Sequence, residues 1–386
     1  LRPAKGDTRQ IILWIRAFDY GIAFRFEFPE QDGWNSFTML SEHTAFNLAD
    51  NPLSLGMSFR SFTTSHENHY SLVRYDELPS GQLYDMPMTF KYDNGVFMAI
   101  TEAAVRDYPG MYLSKEGDRF VGKLSPRMDN PEIKAIAKEF PFKTPWRVLS
   151  IGRSEGDLIE SHILTDLNEN CTFDASWVKP CKTTFTWWNG NVVPDTTFSP
   201  GNNFMTNKYY IDFAARSGID LHDIYGYAET PWYLDDGFDF GTPGAHFDVT
   251  HPIASIHMEY IAEYAASQGV GLHLWVNWKA LWPKLEEAMA LYETWGVKGM
   301  MVDFMDRDDQ EMIQMQERIL QAAADHHIFI QFHGACKPSG LNRTYPNEFT
   351  REGTLNYECM KWGKDVNADH DVAIPFTRML AGSTDY

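Results

Sequence analysis

Three apolar stretches in the C-terminal half of the chain run into side chains able to do acid–base or nucleophilic chemistry. KGMMV closes on Asp303, IFIQF closes on His333 and Gly334, and LNYECMKW carries Glu358 among apolar and aromatic neighbours. An Asp and a Glu brought to one rim suit glycosidic hydrolysis: one carboxylate attacks or activates water, and one carboxylic acid protonates the leaving oxygen. Each also has a structural reading, with Asp303 capping the next helix or pairing with Arg307 and Glu358 paired with Lys361. Asp306 is the alternative nucleophile, and both Asp306 and Asp308 otherwise read as supporting or helix-capping groups. His326 and His327 sit at a helix end, where the C-terminal dipole favours histidine, and so do not read as a metal pair.

The elements that must position these residues follow a β/α rhythm. Candidate strands begin near Val270, Lys298, Ile328 and Leu355, in steps of 28, 30 and 27 residues, one β/α unit each. Earlier strands fit at Thr183 to Trp188 and Ile219 to Tyr225, and a seventh at Ala373 to Arg378. Between them a helix from Pro283 to Trp295 places Leu285, Met289, Tyr292 and Trp295 on one face and stops at Gly296. Another starts at Asp308 and buries Met312, Met315, Ile319 and Ala323. A (β/α)8 barrel follows, with its reactive groups at the C-terminal ends of the strands; an open doubly wound sheet is the competing fold. The spacing leaves the barrel short of its last strand, so the chain is expected to be cut from a longer protein at both ends.

Upstream the period is two. Ile22, Phe24, Phe26 and Phe28 alternate with Ala23, Arg25 and Glu27 after the turn signal Asp19-Tyr20-Gly21, as in a half-buried hairpin. Similar segments recur to about Ile151, and residues 1–180 read as a β-sandwich with its linker, ahead of a barrel in 181–386.

Composition narrows the ligand. A formal net charge of -20 argues against nucleic acid, whose phosphates are bound by Lys and Arg releasing counterions. Twelve Trp among 15% aromatic residues supply flat platforms of the kind that stack on sugar rings. The four cysteines lack zinc-ligand spacing, although Cys171 and Cys181 are near enough in sequence to bridge in an oxidising compartment. No 18-residue apolar run marks a membrane span, and no GxGxxG, GxxxxGK[ST] or GxSxG motif is present.

The stretch GVKGMMVDFMDRDDQE from Gly296, followed by FHGACKPSGLNRTYPNEFTREG from Phe332, resembles the barrel signature of glycoside hydrolase family 97. TEAAVRDYPGMYL from Thr101, IGRSEGDLIESHILTDLNE from Ile151, LHLWVNW from Leu272 and PFTRMLAG from Pro375 extend the likeness over most of the chain. The resemblance implies an antiparallel β-super-sandwich joined to a (β/α)8 TIM-type barrel, incomplete in this chain, and cleavage of α-glucosides or α-galactosides with Ca2+. It also implies a periplasmic or secreted protein.

Within the family, Asp at the strand-four position with Gly334 after His333 resembles the retaining branch. That places the nucleophile on Asp303 and the acid/base on Glu358, and favours α-galactosidase activity on oligosaccharides or other α-galactosides. A catalytically silent carbohydrate-binding protein is the reading from another class. Retention calls for a carboxyl separation of roughly 5 to 5.5 Å. The resemblance puts calcium on Glu102, Glu352 and Glu358, with Glu358 expected to touch it weakly, because ligation lowers the pKa that an acid needs. His333 is expected to hydrogen-bond a sugar hydroxyl and Trp188 to stack on a sugar. Alternation allows only one each of Trp187 and Trp188, and of Trp275 and Trp278, to face inward. IYGYAETPWYLDDG and the closing LAGSTDY, where Pro-Met is expected before Asp-Tyr, depart from the family pattern.

Overall fold

The structure, a computed structural model, describes residues 9–195, 197–226, 231–239, 241–363 and 366–386. The departing segment IYGYAETPWYLDDG falls in part, over 227–230, outside the described residues.

Ile12–Phe18 and Gly21–Phe28 form the expected hairpin, in register from Ile12 opposite Glu27 to Phe18 opposite Gly21. These two belong to a sheet of twelve antiparallel strands that wraps a core including Phe46, Tyr75, Met88, Phe90, Ile100, Leu113 and Phe120. The sandwich ends with Trp146–Gly152, whose Arg147 lies opposite Glu102 of Phe97–Ala103.

Six parallel strands follow in spatial order of sequence: Thr183–Thr184 (β1), Leu221–Ile224 (β2), Gly271–Asn277 (β3), Val297–Asp303 (β4), Phe329–Phe332 (β5) and Glu348–Arg351 (β6). This is an arc of a β/α barrel. Strands β3 and β4 are buried nearly throughout, which is why they read as continuous apolar runs rather than alternating ones. Helices Leu285–Thr294 and Gln310–Asp325 pack Met289, Tyr292, Met312 and Ile319 onto the sheet.

Three element readings are corrected. Leu355 does not open a strand: Asn356 accepts from the Glu358 N–H at 2.9 Å and turns Tyr357–Trp362 into a 3-10 helix. The sixth strand lies earlier, at Glu348–Arg351, so Glu352 follows β6 directly. Ala373 to Arg378 is helical. Asp309, not Asp308, caps the fourth-unit helix, and Asp308 instead accepts from Ser125 of the sandwich. All four cysteines are free, so Cys171 and Cys181 are not bridged. Among the described residues no helix is long and apolar enough to cross a membrane.

The two halves meet through polar contacts. Lys337, in the loop after β5, donates to Glu102 at 2.9 Å, Gln310 donates to the Ile136 carbonyl at 3.0 Å, and the Thr64 N–H donates to the Asp306 carbonyl at 2.9 Å.

Candidate active site

At the C-terminal ends of the barrel strands lies a cavity of about 350 Å³ lined by Asp303, Asp306, His333, Gly334, Glu352 and Glu358. Trp187, Tyr225, Trp275 and Trp362 give it aromatic walls, and Thr63 to Ser65 with Glu67 close it from the sandwich. A fold of this kind gathers its reactive groups at this rim because every strand delivers its last residue there.

Asp303 is the last residue of β4. Its Oδ2 accepts from Trp275 Nε1–H at 2.9 Å and its Oδ1 from the Phe304 N–H. Burial raises its pKa above the ordinary carboxylate range, while the positive charge of His333 and the two donors pull it back. Glu358 accepts from Trp187 Nε1–H at 2.8 Å. Burial raises its pKa as well, against His333 and with Asp303 adding to the rise. A carboxyl that holds its proton beyond the usual range is what a general acid requires.

His333 stands between carboxylates. Its Nε2 is 2.7 Å from Asp385 Oδ2 and its Nδ1 is 3.4 Å from Glu352 Oε2. Burial opposes its protonation, but Glu352 and Asp385 outweigh burial and raise its pKa well above the ordinary value. Nε2 is taken up by Asp385, whereas Nδ1 makes no hydrogen bond to Glu352, and the ring lines the cavity where a sugar hydroxyl is expected to meet it. When protonated, His333 places a positive charge near Asp303 and Glu358 and lowers the pKa of each.

Trp188 is 51% exposed and lines an adjoining cavity that shares His333 and Glu358 with the first. Trp187 faces the site. Of the other pair, Trp275 lines the cavity, and Trp278 donates to the Phe304 carbonyl at 2.8 Å.

The metal-ligand expectation divides. Ligand atoms of His333, Glu352 and Glu358 all lie within 4.8 Å of one another. Glu352 is buried, accepting from the Gly334 N–H at 2.8 Å and from Asn356 at 2.9 Å. Burial drives its pKa well up; His333 lowers it, and Glu67, Asp303 and Glu358 raise it further. Crowded, mutually repelling carboxylate oxygens fit a hard cation such as Ca2+. Glu102 lies elsewhere: wholly buried, it is matched by Arg147 at 2.6 Å and Lys337 at 2.9 Å. Two cations already neutralise it. The acidic side chain that the sandwich brings to the cavity is Glu67, which no periodicity in SHENHY singles out. Asp385 was also missed, lying in the closing stretch that departs from the family pattern.

Two family models match the chain in succession, one described as Glycosyl-hydrolase 97 N-terminal over 3–170 and one as Glycoside hydrolase 97 over 187–354. The chain belongs to glycoside hydrolase family 97. This family 97 chain is 31% identical over 401 residues to a retaining alpha-galactosidase of Bacteroides thetaiotaomicron, covering 96% of the chain and 58% of that protein. It is 28% identical over 380 residues to a probable retaining alpha-galactosidase of Streptomyces bingchenggensis, covering 97% of the chain and 54% of the relative. A family 97 enzyme from Pseudoalteromonas sp. strain K8, also solved with acarbose and with panose, superposes with a TM-score of 0.87 at 30% identity. That match covers 97% of this chain and 60% of the enzyme. The chain thus spans between half and two thirds of the length of these relatives.

Proposed function

We propose that this chain carries the catalytic centre of a retaining α-glycoside hydrolase that removes α-galactose from oligosaccharides or other α-galactosides, with calcium bound beside the reacting carboxylates. The observation that carries the reading is the convergence of Asp303 and Glu358 on one cavity, each oriented by an indole N–H from a different part of the barrel.

The residues divide the work as follows. Asp303, ionised and held by Trp275 and the Phe304 N–H, attacks the anomeric carbon as Glu358 gives its proton to the departing oxygen. The galactosyl ester on Asp303 is then hydrolysed by water whose proton Glu358 takes back. His333 steadies the ionised form of Asp303. Gly334 presents no carboxylate that would activate a water for direct displacement, which favours the two-step course. Glu352, with Glu67 near it, would hold the calcium, and Glu358 would touch it only weakly, since direct ligation would cost it the proton an acid needs. When bound, that ion supplies a fixed positive charge that orients sugar oxygens.

The names of the two curated relatives support galactose. A glucoside reading has its own support, since the Pseudoalteromonas enzyme was solved with panose, a trisaccharide of glucose. The test is turnover of 4-nitrophenyl α-galactoside and α-glucoside by wild type and Asp303→Gly. The expected result is preference for the galactoside, loss of at least about 10³-fold in the variant, and rescue by azide with β-galactosyl azide as product. Sugar binding by wild type without turnover would overturn the enzymatic reading.

A further inference from the structure

The loop that follows Asp303 is bent twice into left-handed backbone, at Phe304 (φ 64°) and Asp306 (φ 46°). Neither is glycine, so the conformation costs about 1 kcal/mol or more at each and must be imposed by its surroundings. The constraints come from both halves of the molecule: the Asp306 N–H donates to the Gly334 carbonyl, and the Asp306 carbonyl accepts from the Thr64 N–H. What the bend achieves is to turn the Asp306 carboxylate into the cavity.

Space for that carboxylate comes from Gly334. A Cβ at Gly334 would stand 2.8 Å from Asp306 Oδ1 and 3.2 Å from the Phe304 Cα, and Gly334 itself has φ 51°. The absent side chain after His333 and the presence of the Asp306 carboxylate are therefore one arrangement.

Asp306 makes no side-chain hydrogen bond or ion pair among the described residues. Burial, with Asp303 and Glu67 nearby, raises its pKa to about 6. Asp306 is half-buried and open to the cavity, so a ligand that expels water there leaves the carboxylate unpaired unless it supplies a donor. A sugar is a set of such donors.

We propose that Asp306 is a specificity-determining residue that accepts a hydrogen bond from a hydroxyl of the glycosyl ring whose anomeric carbon meets Asp303, and that Gly334 provides the room for it. This rests on the glycosidase reading of the cavity. A site built to hold a hydroxyl discriminates strongly against a ligand that lacks it, because its own acceptor is then left unpaired.

The experiment compares wild type, Asp306→Ala and Asp306→Asn of the full chain on 4-nitrophenyl α-galactoside and its monodeoxy derivatives. Wild type should lose about 10- to 100-fold in kcat/KM when one particular hydroxyl is removed. Asp306→Ala should show that loss already with the parent sugar, chiefly in KM, and lose little more on the deoxy substrate. Gly334→Ala should reproduce it in part. Equal losses in wild type and Asp306→Ala at every deoxy position would overturn the proposal. So would rescue of Asp306→Gly by azide, which would make Asp306 the nucleophile. If wild type turns over no glycoside, calorimetric binding of galactose and the deoxygalactoses makes the same comparison. The pattern in binding would uphold Asp306 while sinking the catalytic reading, and its absence would overturn Asp306 as well.

Discussion

Trp275 donates its indole N–H to Oδ2 of Asp303 at 2.9 Å, so strand β3 sets the orientation of the carboxylate that ends β4. A donor to the ionised form lowers a carboxyl pKa, and removing it does the reverse. As the proposed nucleophile Asp303 must be ionised, so activity should be lost as pH falls through its pKa, which burial already raises. In Trp275→Phe the acidic limb of the kcat/KM profile should move to higher pH, with a loss of about tenfold at the optimum. An unmoved limb would show that the indole does not act on Asp303.

Glu358 carries the complementary prediction. As the proposed acid it must be protonated, so activity should be lost as pH rises through its pKa. Trp187 donates to its ionised form, and Trp187→Phe should therefore shift the basic limb upward. Steady-state pH profiles of the variant and wild type check the direction.

The Glu102 cluster is structural, and that separates two measurements. Lys337, Glu102, Arg147 and Glu42 form a buried chain of ion pairs between sandwich and barrel. Removing one partner of such a set leaves buried charge uncompensated, at a cost of about 3 kcal/mol. Lys337→Met should lower the denaturation midpoint accordingly. Calorimetric titration with calcium should show Glu352→Gln weakened by at least about tenfold and Glu102→Gln unchanged in affinity.

His222 on β2 is buried and neutral, its ring nitrogens 2.7 Å from Thr184 Oγ1 and 2.8 Å from Asn207 Oδ1. Burial lowers its pKa from 6.5 to about 3. The unfolded chain takes up a proton below pH 6.5 that the folded chain refuses until about 3, so stability is full above that window and falls on acidification through it. The slope is about 1.4 kcal/mol per pH unit. Chemical denaturation at pH 7 and pH 4.5 should find His222→Gln less stable at pH 7 but less sensitive to the change.

Much of this architecture is legible in the residues, for physical reasons. Strands β3 to β5 are covered on both faces, so they appear as apolar runs at the spacing of a β/α unit, and Asp303 and His333 stand out where those runs end. Strand β6 does not, because its Glu348 and Arg351 are buried and paired with each other, which hides the strand inside a polar stretch. The apolar and aromatic run at Leu355 reads as a strand for the same reason, yet one side-chain cap from Asn356 turns it helical. Glu358 stands out by its chemistry and does line the cavity with Asp303, although its element is a 3-10 helix and not a strand. The fate of Glu102 depends on Arg147 and Lys337, distant in sequence, and Glu67 reaches the cavity only through a loop whose local pattern carries no period. Alternation allows one indole of each pair to face inward; packing sets Trp187 and Trp275 on the cavity that holds Asp303, and Trp188 on the adjoining one that Glu358 and His333 also line.

The most direct test of the central claim is proton NMR of an aryl α-galactoside during the first turnovers, before mutarotation mixes the anomers. Double displacement through Asp303 predicts that α-galactose appears first. β-Galactose appearing first would mean single displacement by water, and would contradict the assignment of Asp303 as nucleophile.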